Sequence, residues 1–194
     1  MHAMPSGTYT VRMTLGGTTV SQPLEVVPDP RAGSTPAAER EHAAMVATLA
    51  ATAADINRVL TDLRDVRSQA RALAERARSA PIAARDAAIH ALIAGIDSLE
   101  STVASPGASS DPGALDILQI TPRLNTDFAG LLSAVEGTSA PVTSGEREQF
   151  ARLRERASAF QAAAERLMTA EVDRANALVT SSGLTPPIAR RRSP

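Results

Sequence analysis

Apolar and polar residues alternate near the start of the chain, which is the period-two pattern of a half-buried β-strand. The apolar positions are Tyr9, Val11, Met13 and Leu15, with threonine or arginine between them. A glycine pair, Gly16 and Gly17, follows, and a two-residue primed turn requires the positive φ that glycine adopts readily. Such a turn places Met13 opposite Val20 and Tyr9 opposite Leu24. The pattern therefore predicts a β-hairpin with one apolar face.

This hairpin, over residues 5–27, requires a further partner, because an isolated two-stranded hairpin is at best marginally stable in water. Pro23 lacks a backbone N–H, which predicts an edge strand or a bulge. The rest of the sequence offers no third strand. Either the hairpin lies on the helices that follow, or its partner strands belong to residues upstream of Met1, and we expect the second arrangement.

The strongest pattern in the chain is a heptad seam in a long predicted helix. A linker rich in Pro, Gly and Ser covers residues 28–36, and Thr35 followed by Pro36 is a favourable helix start. The seam alternates spacings of four and three at Met45, Leu49, Thr52, Ile56, Val59, Leu63, Val66, Ala70, Leu73 and Ala77. This spacing predicts left-handed packing against neighbouring helices. Whether the seam packs against helices of the same chain or against a second chain stays open.

Three more helices are predicted after this one. The second begins after Pro81 and carries Ile82, Ile89, Leu92, Ile96, Leu99 and Val103. The third is capped by Asp111 and Pro112, is divided or kinked at Pro122 and ends near Gly137. Its apolar positions are Leu115, Leu118, Leu124, Phe128, Leu131 and Val135. The last begins with a capping box of Thr143 and Glu146 and carries Phe150, Leu153, Ala157, Phe160, Ala164, Leu167 and Leu178.

These elements predict a mainly α fold: a long antiparallel helical bundle or coiled-coil hairpin, preceded by the β-hairpin. The helical bundle is expected over residues 37–182, and residues 183–194 are expected to form a disordered tail. Helix surfaces carry charges of alternating sign, which is typical of solvated faces.

Composition narrows the range of functions. The formal net charge is −1, and phosphate binding needs clustered, uncompensated basic charge, so a nucleic-acid partner is not expected. The chain has no cysteine, which excludes disulfides, thiolate catalysis and thiolate metal sites. No apolar run is long enough to predict a membrane span. The first residues show no signal peptide, so the localisation is left open.

We predict no catalytic, cofactor-binding or metal-binding residues. The histidines His2, His42 and His90 lie far apart in sequence. Carboxylate pairs occur at Glu39 with Glu41 and at Asp62 with Asp65, on helix faces where nothing separates their pKa values. Two groups of arginines, Arg152 with Arg154 and Arg156, and Arg190 to Arg192, have no accompanying aromatic platform, and solvated surface is the preferred interpretation.

One short segment matches part of a known motif. Ser109, Asp111 and Gly113 fit the start of the S-x-D-x-G-x-x-W Asp box of sialidase-like propellers. The tryptophan position is occupied by Asp116, and the segment lies between predicted helices, so the match is interpreted as chance.

The order of the parts resembles the C-terminal region of large bacterial BNR-repeat proteins of the sortilin-like propeller type, often described as glycosyl hydrolases. The residues that carry the resemblance are Gly7, Tyr9, Val11, Leu24, Val26, Asp29, Pro30 and Arg31, followed by the Ala- and Leu-rich helices. In that family an immunoglobulin-like domain and a helical tail follow the propeller. The resemblance implies that the hairpin is the end of such a sandwich, and that the parent protein is extracytoplasmic.

The resemblance implies a non-catalytic accessory region whose partner is the upstream propeller or immunoglobulin-like domain. The alternative is a self-standing homo-oligomer in which the heptad seam pairs between two copies of the chain. An enzyme is not predicted, since no nucleophile, base and orienting residue can be nominated.

Overall fold

The computed structural model describes residues 5–28, 30, 33–104, 123–138 and 140–189. Its elements are β1 (Gly7–Leu15), β2 (Thr18–Val26), α1 (Pro36–Ala77), α2 (Ala83–Val103), α3 (Leu124–Glu136), α4 (Ser144–Arg166), a π-helical turn (Leu167–Glu171) and α5 (Val172–Ser181). The predicted class, mainly α with an N-terminal β-hairpin, is confirmed. That the hairpin belongs to an immunoglobulin-like sandwich stays a prediction.

The hairpin has the predicted register. Met13 pairs with Val20 and Tyr9 pairs with Leu24. The turn glycines have φ of 56° and 81°, the left-handed region that a primed turn requires. The pairing continues past Pro23 without a bulge, so this proline marks an edge position. Within the part of the chain that the structure describes, the sheet consists of these two strands.

Two of the predicted helix starts, at Thr35 and Thr143, are present in the structure. The Thr35 hydroxyl accepts a hydrogen bond from the backbone N–H of Ala38 at 3.2 Å, and α1 begins at Pro36. At α4, the Glu146 carboxylate accepts the backbone N–H of Thr143 at 2.7 Å, and the Thr143 hydroxyl accepts that of Glu146 at 3.2 Å. These reciprocal bonds are a capping box, which satisfies donors that the first turn leaves unpaired.

The chain divides into two compact units. The first comprises Met1–Ala51 and Phe128–Arg152, and its core is formed by Met45, Val46, Leu49, Phe128, Leu131, Val135 and Val142. Two polar contacts join its helices: His42 Nε2 lies 2.7 Å from the carbonyl oxygen of Val135, and Arg147 binds Glu41 through its Nε at 2.6 Å and its Nη2 at 3.0 Å.

The second unit comprises Thr52–Asp127 and Leu153–Pro194 and contains an antiparallel pair formed by α1 and α2. Arg67 on α1 binds both Asp97 and Glu100 on α2 at 2.6 Å, and Arg64 also binds Glu100. Nearer the turn, Arg85 on α2 reaches the carbonyl oxygen of Ala77 on α1 at 3.1 Å. These contacts pair the later residues of α2 with the earlier residues of α1, so the two helices run in opposite directions. The predicted antiparallel helix pair is present here.

Most positions of the predicted heptad seam are buried, and some neighbouring positions are buried as well. All its predicted positions are buried except Thr52 and Val59, which are half-buried, while Val46 and Leu60 are buried in addition. A straight α-helix drifts relative to a strict heptad repeat, so positions beside the seam also face the core. The burial occurs within one chain.

Some predictions differ from the structure or lie outside it. Ile82, expected in the apolar stripe of the second helix, is exposed and precedes α2. The predicted Asp111–Pro112 cap, Leu115, Leu118 and the Pro122 kink lie outside the described residues. The predicted tail also differs in its described part: residues 184–189 pack within the second unit, and Ile188 is 4% exposed. Residues 190–194 lie outside the described residues.

One helix of the described residues, α1, is long and apolar enough by length and composition to cross a membrane. Core helices of soluble proteins pass the same test, so the finding is weak evidence. That the chain has no membrane span stays a prediction.

Candidate functional site

One face of the hairpin carries apolar side chains that no described residue covers. We call Val11, Met13, Leu15, Val20 and Leu24 the hairpin face, and their exposed fractions range from 48% to 77%. Tyr9 and Val26, on the same side of the sheet, are half-buried. A contiguous apolar group of this kind usually marks a surface that binds another protein segment. The hairpin face is therefore the candidate functional surface.

The hairpin face results from the alternation of apolar and polar residues within β1 and β2. Side chains alternate between the two sides of a strand, and the register sets Met13 opposite Val20 and Tyr9 opposite Leu24, whereas Val11 and Leu15 lie opposite Gln22 and Thr18. The opposite side is polar, and it includes a cross-strand contact of 2.9 Å between the Thr14 and Thr19 hydroxyls. Arg12 and Ser21 are paired on this polar side. The hairpin thus has one face suited to solvent and one suited to a core.

The base of the hairpin is attached to α1. The backbone N–H of Ser6 donates to the Glu39 carboxylate at 2.9 Å, and the Tyr9 hydroxyl donates to the carbonyl oxygen of Pro5 at 2.7 Å. Hydrogen bonds from the Ser6 side chain and backbone hold the pKa of Glu39 below its ordinary value. These contacts position the start of β1 while they leave the rest of the strand uncovered.

The two strand edges are not equivalent. The two-residue turn makes Leu15 and Thr18 a hydrogen-bonded pair, and pairs then alternate along the hairpin. Thr10 and Pro23 consequently form a non-hydrogen-bonded pair, in which the backbone polar groups point outward. Pro23 has no N–H, so the outer edge of β2 lacks a donor that a further strand would use. The outer edge of β1 is complete and is the better one for strand addition.

The structure places the histidines considered above in separate environments. His42 Nε2 donates to the carbonyl oxygen of Val135 in the first unit, and His90 Nδ1 lies 2.8 Å from the carbonyl oxygen of Asp86 in the second. His2 lies outside the described residues. Within the described ranges, no group of three or more His, Asp or Glu side chains is placed to hold a metal ion.

The paired carboxylates have separate partners. Glu39 accepts from Ser6, whereas Glu41 accepts from Arg147. The hydrogen bonds that Arg147 donates to Glu41 lower the pKa of the Glu41 carboxyl, and the same bonds raise the pKa of Arg147. Asp62 and Asp65 are half-buried on α1. Because Glu39 and Glu41 have different partners, this pair lacks the shared environment that divides two carboxyls into an acid and a base.

The first arginine group also lies in ion pairs. Arg156 binds Asp127 at 2.5 Å, and Arg152 lies 4.0 Å from Glu148. Arg190 to Arg192 and the Ser109–Gly113 segment lie outside the described residues.

Two open clefts occur in the second unit. One of about 520 Å³ lies beside the α1–α2 turn, and the other, of about 350 Å³, is lined largely by apolar residues that include Leu124 and Phe160. The first contains Arg78 and Glu75, which pair with each other at 3.0 Å, and also His90 and Asp86. Neither cleft joins a nucleophile to a base, so neither suggests a reaction class. That the protein is not an enzyme stays a prediction.

No family model, curated protein or solved structure matches this chain. The hairpin face and the outer edge of β1 are the features from which a function is inferred.

Proposed function

We propose that the protein is a non-catalytic accessory module whose hairpin completes a β-rich domain of a larger protein, such as the immunoglobulin-like domain that its sequence resembles. The observation that supports the proposal is the exposed hairpin face. The helices have their own buried core, including Ile56, Leu63 and Ile96, whereas the hairpin has apolar side chains and no core. An added strand and an apposed sheet would supply one.

The geometry favours addition at β1. A strand that pairs with the outer edge of β1 gains a full set of backbone hydrogen bonds, and it extends the apolar face in the same plane. The Pro23 position on β2 would then remain the edge of the enlarged sheet, where proline is tolerated. In this arrangement the helical part follows the β-rich domain as an appendage.

A second copy of the chain is the alternative partner. The heptad seam gives it little support, because the seam positions such as Leu63, Ala70 and Leu73 are buried within one chain. A dimer would have to form through the hairpins.

The proposal is tested first by the reading frame upstream of the Met1 codon. An in-frame extension that encodes further strands is expected, and the longer polypeptide should then be expressed. A stop codon directly upstream, with a ribosome-binding site, would contradict the proposal.

In the longer polypeptide, the double variant Met13→Thr with Val20→Thr should destabilise the β-rich domain by about 2–4 kcal/mol, because two buried apolar side chains lose their transfer free energy. The control is Arg12→Thr with Ser21→Thr, an opposed pair on the polar side. In the chain of 194 residues, both double variants should change helix unfolding by less than about 0.5 kcal/mol. Urea unfolding followed by circular dichroism measures both effects.

Solution mass distinguishes the two partners. A monomer at all concentrations fits the accessory module. A dimer that dissociates in the Met13→Thr, Val20→Thr variant and persists in the control would support the second copy instead.

A further inference from the structure

The chain reverses direction immediately after α5. Gly183, with φ of 71°, donates its N–H to the Thr180 carbonyl oxygen at 3.1 Å, and Leu184 donates to the Val179 carbonyl oxygen at 3.1 Å. These two bonds are a Schellman motif, which ends a helix with a residue in the left-handed region. The segment that follows, residues 184–189, is directed back onto the second unit. We call it the tail strap.

Two amide side chains hold consecutive residues of the tail strap. Asn176 on α5 donates through Nδ2 to the Ile188 carbonyl oxygen at 2.9 Å and accepts the Ile188 N–H at 2.8 Å. Gln69 on α1 makes the same pair of bonds with Ala189, at 3.1 Å and 2.8 Å. Each amide offers one donor and one acceptor, as a neighbouring strand would. The strap is thus bound through its backbone between two helices.

One side chain of the strap is buried. Ile188 is 4% exposed, whereas Pro186, Pro187 and Ala189 are exposed. The backbone bonds from Gln69 and Asn176 do not depend on the side chains of the strap. The site that Gln69 and Asn176 form therefore holds the backbone of two consecutive residues and one aliphatic side chain.

We propose that Gln69 and Asn176 form a recognition site for an extended peptide from a partner protein, with an aliphatic residue followed by a small residue. The tail strap is the built-in occupant of this site. A tethered segment acts at an effective concentration on the order of mM, so a partner peptide binds well only when the strap is released. The site is separate from the hairpin face, and its test does not depend on the function proposed above.

The experiment uses the full chain with Ile188→Asp, which weakens the strap, and a fluorescent peptide of sequence LTPPIARRRSP, residues 184–194. Fluorescence anisotropy should show saturable binding to this variant, and at least about tenfold weaker apparent binding to the unchanged chain, because its own strap competes. A peptide with Asp in place of Ile should not bind. A scrambled peptide of the same composition controls for attraction by its arginines.

The role of Asn176 in peptide binding is tested with the double variant Ile188→Asp, Asn176→Leu. This change keeps the volume of the side chain but removes both backbone bonds, and it should weaken peptide binding at least about tenfold. If the Ile188→Asp chain keeps its circular dichroism spectrum and shows no saturable binding, the strap is a fixed structural segment and the proposal is wrong.

A measurement on the unchanged chain covers the case in which Ile188→Asp does not fold. Amide hydrogen exchange at Ile188 and Ala189 should be faster than at buried positions of α5 such as Ala175, because the strap opens without unfolding the helix. Exchange of the strap amides only on global unfolding would contradict the proposal.

Discussion

Arg85 is a buried arginine at the turn between α1 and α2, and its side chain is 2% exposed. Its Nη2 donates to the carbonyl oxygens of Ala77 at 3.1 Å and Ala80 at 2.8 Å, and its Nε donates to Asp86 at 2.9 Å. The last carbonyl groups of a helix have no partner within the helix. Arg85 satisfies carbonyls at the end of α1 and is itself neutralised by Asp86.

Replacing Arg85 by methionine should lower the free energy of unfolding by about 2–4 kcal/mol, because the carbonyl oxygens of Ala77 and Ala80 lose the bonds that Arg85 donates and Asp86 loses its counter-charge. The matched control is Arg78→Met, since Arg78 is 77% exposed and pairs with Glu75 on the surface. The control should change stability by less than about 0.5 kcal/mol. Urea unfolding compares the two, and equal effects would show that Arg85 does not hold the turn.

At the scale of elements, the π-helical turn between α4 and α5 packs against α2. Leu167, its first residue, lies over Gly95: a Cβ atom at Gly95 would come within 2.8 Å of the Leu167 Cδ1 atom. A π-turn inserts one residue into the helix and shifts the side chains that follow it. The missing side chain of Gly95 leaves the space that Leu167 occupies.

Two helix glycines should therefore respond differently to substitution. Gly130→Ala on α3, where nothing lies within 4 Å of the added Cβ, should raise stability by about 0.5–1 kcal/mol through helix propensity. Gly95→Ala should give less than this gain, because Leu167 must move. Gly95→Val should lower stability by about 1–3 kcal/mol. Chemical denaturation measures all three, and a gain at Gly95 equal to that at Gly130 would contradict the close packing.

At the scale of the whole molecule, three carboxyl groups with lowered pKa values lie in the first unit. Hydrogen bonds from the backbone and hydroxyl of Thr143 lower the pKa of Glu146, as those from Ser6 and Arg147 lower the pKa values of Glu39 and Glu41. Each group binds protons more weakly in the folded chain than in the unfolded chain. The stability that it contributes is present above the ordinary pKa of 4.5 and is lost as the pH falls through the lowered value.

Acidification should therefore weaken the first unit. Hydrogen exchange by mass spectrometry at neutral pH and at about pH 3.5, corrected for the intrinsic pH dependence of exchange, should show reduced protection around Met45 and Leu131 at the lower pH. Glu146→Gln should reduce the change between the two conditions, because the neutral amide no longer titrates. Equal protection around Met45 and Leu131 at the two pH values would contradict the prediction.

Much of the fold could be predicted because its signals are local. Alternation at Tyr9 to Leu15 and the glycine pair predicted the hairpin and its register, and the capping residues Thr35 and Thr143 predicted two helix starts. These features depend on backbone geometry within a few residues. The seam was predicted for the same reason, although the drift of the helix brought Leu60 into the core beside Val59.

The candidate site was predicted only in part. The apolar pattern of β1 and β2 indicated a face that needs a core, but the pattern could not show that the helices leave this face exposed. That outcome depends on which surfaces the helices bury against one another.

The sequence by itself determined the mainly α class, the hairpin register, the helix caps and most of the buried seam, because each follows from a short-range period or a capping residue. Only the tertiary structure decided the burial of Arg85, the contact of Leu167 with Gly95 and the docking of Ile188 on Asn176, with Ala189 on Gln69. The residues in these contacts are separated by turns or by long stretches of chain, and a single arginine, glycine or isoleucine carries no period. Their roles follow from the complementary shapes and hydrogen-bonding groups that packing brings together.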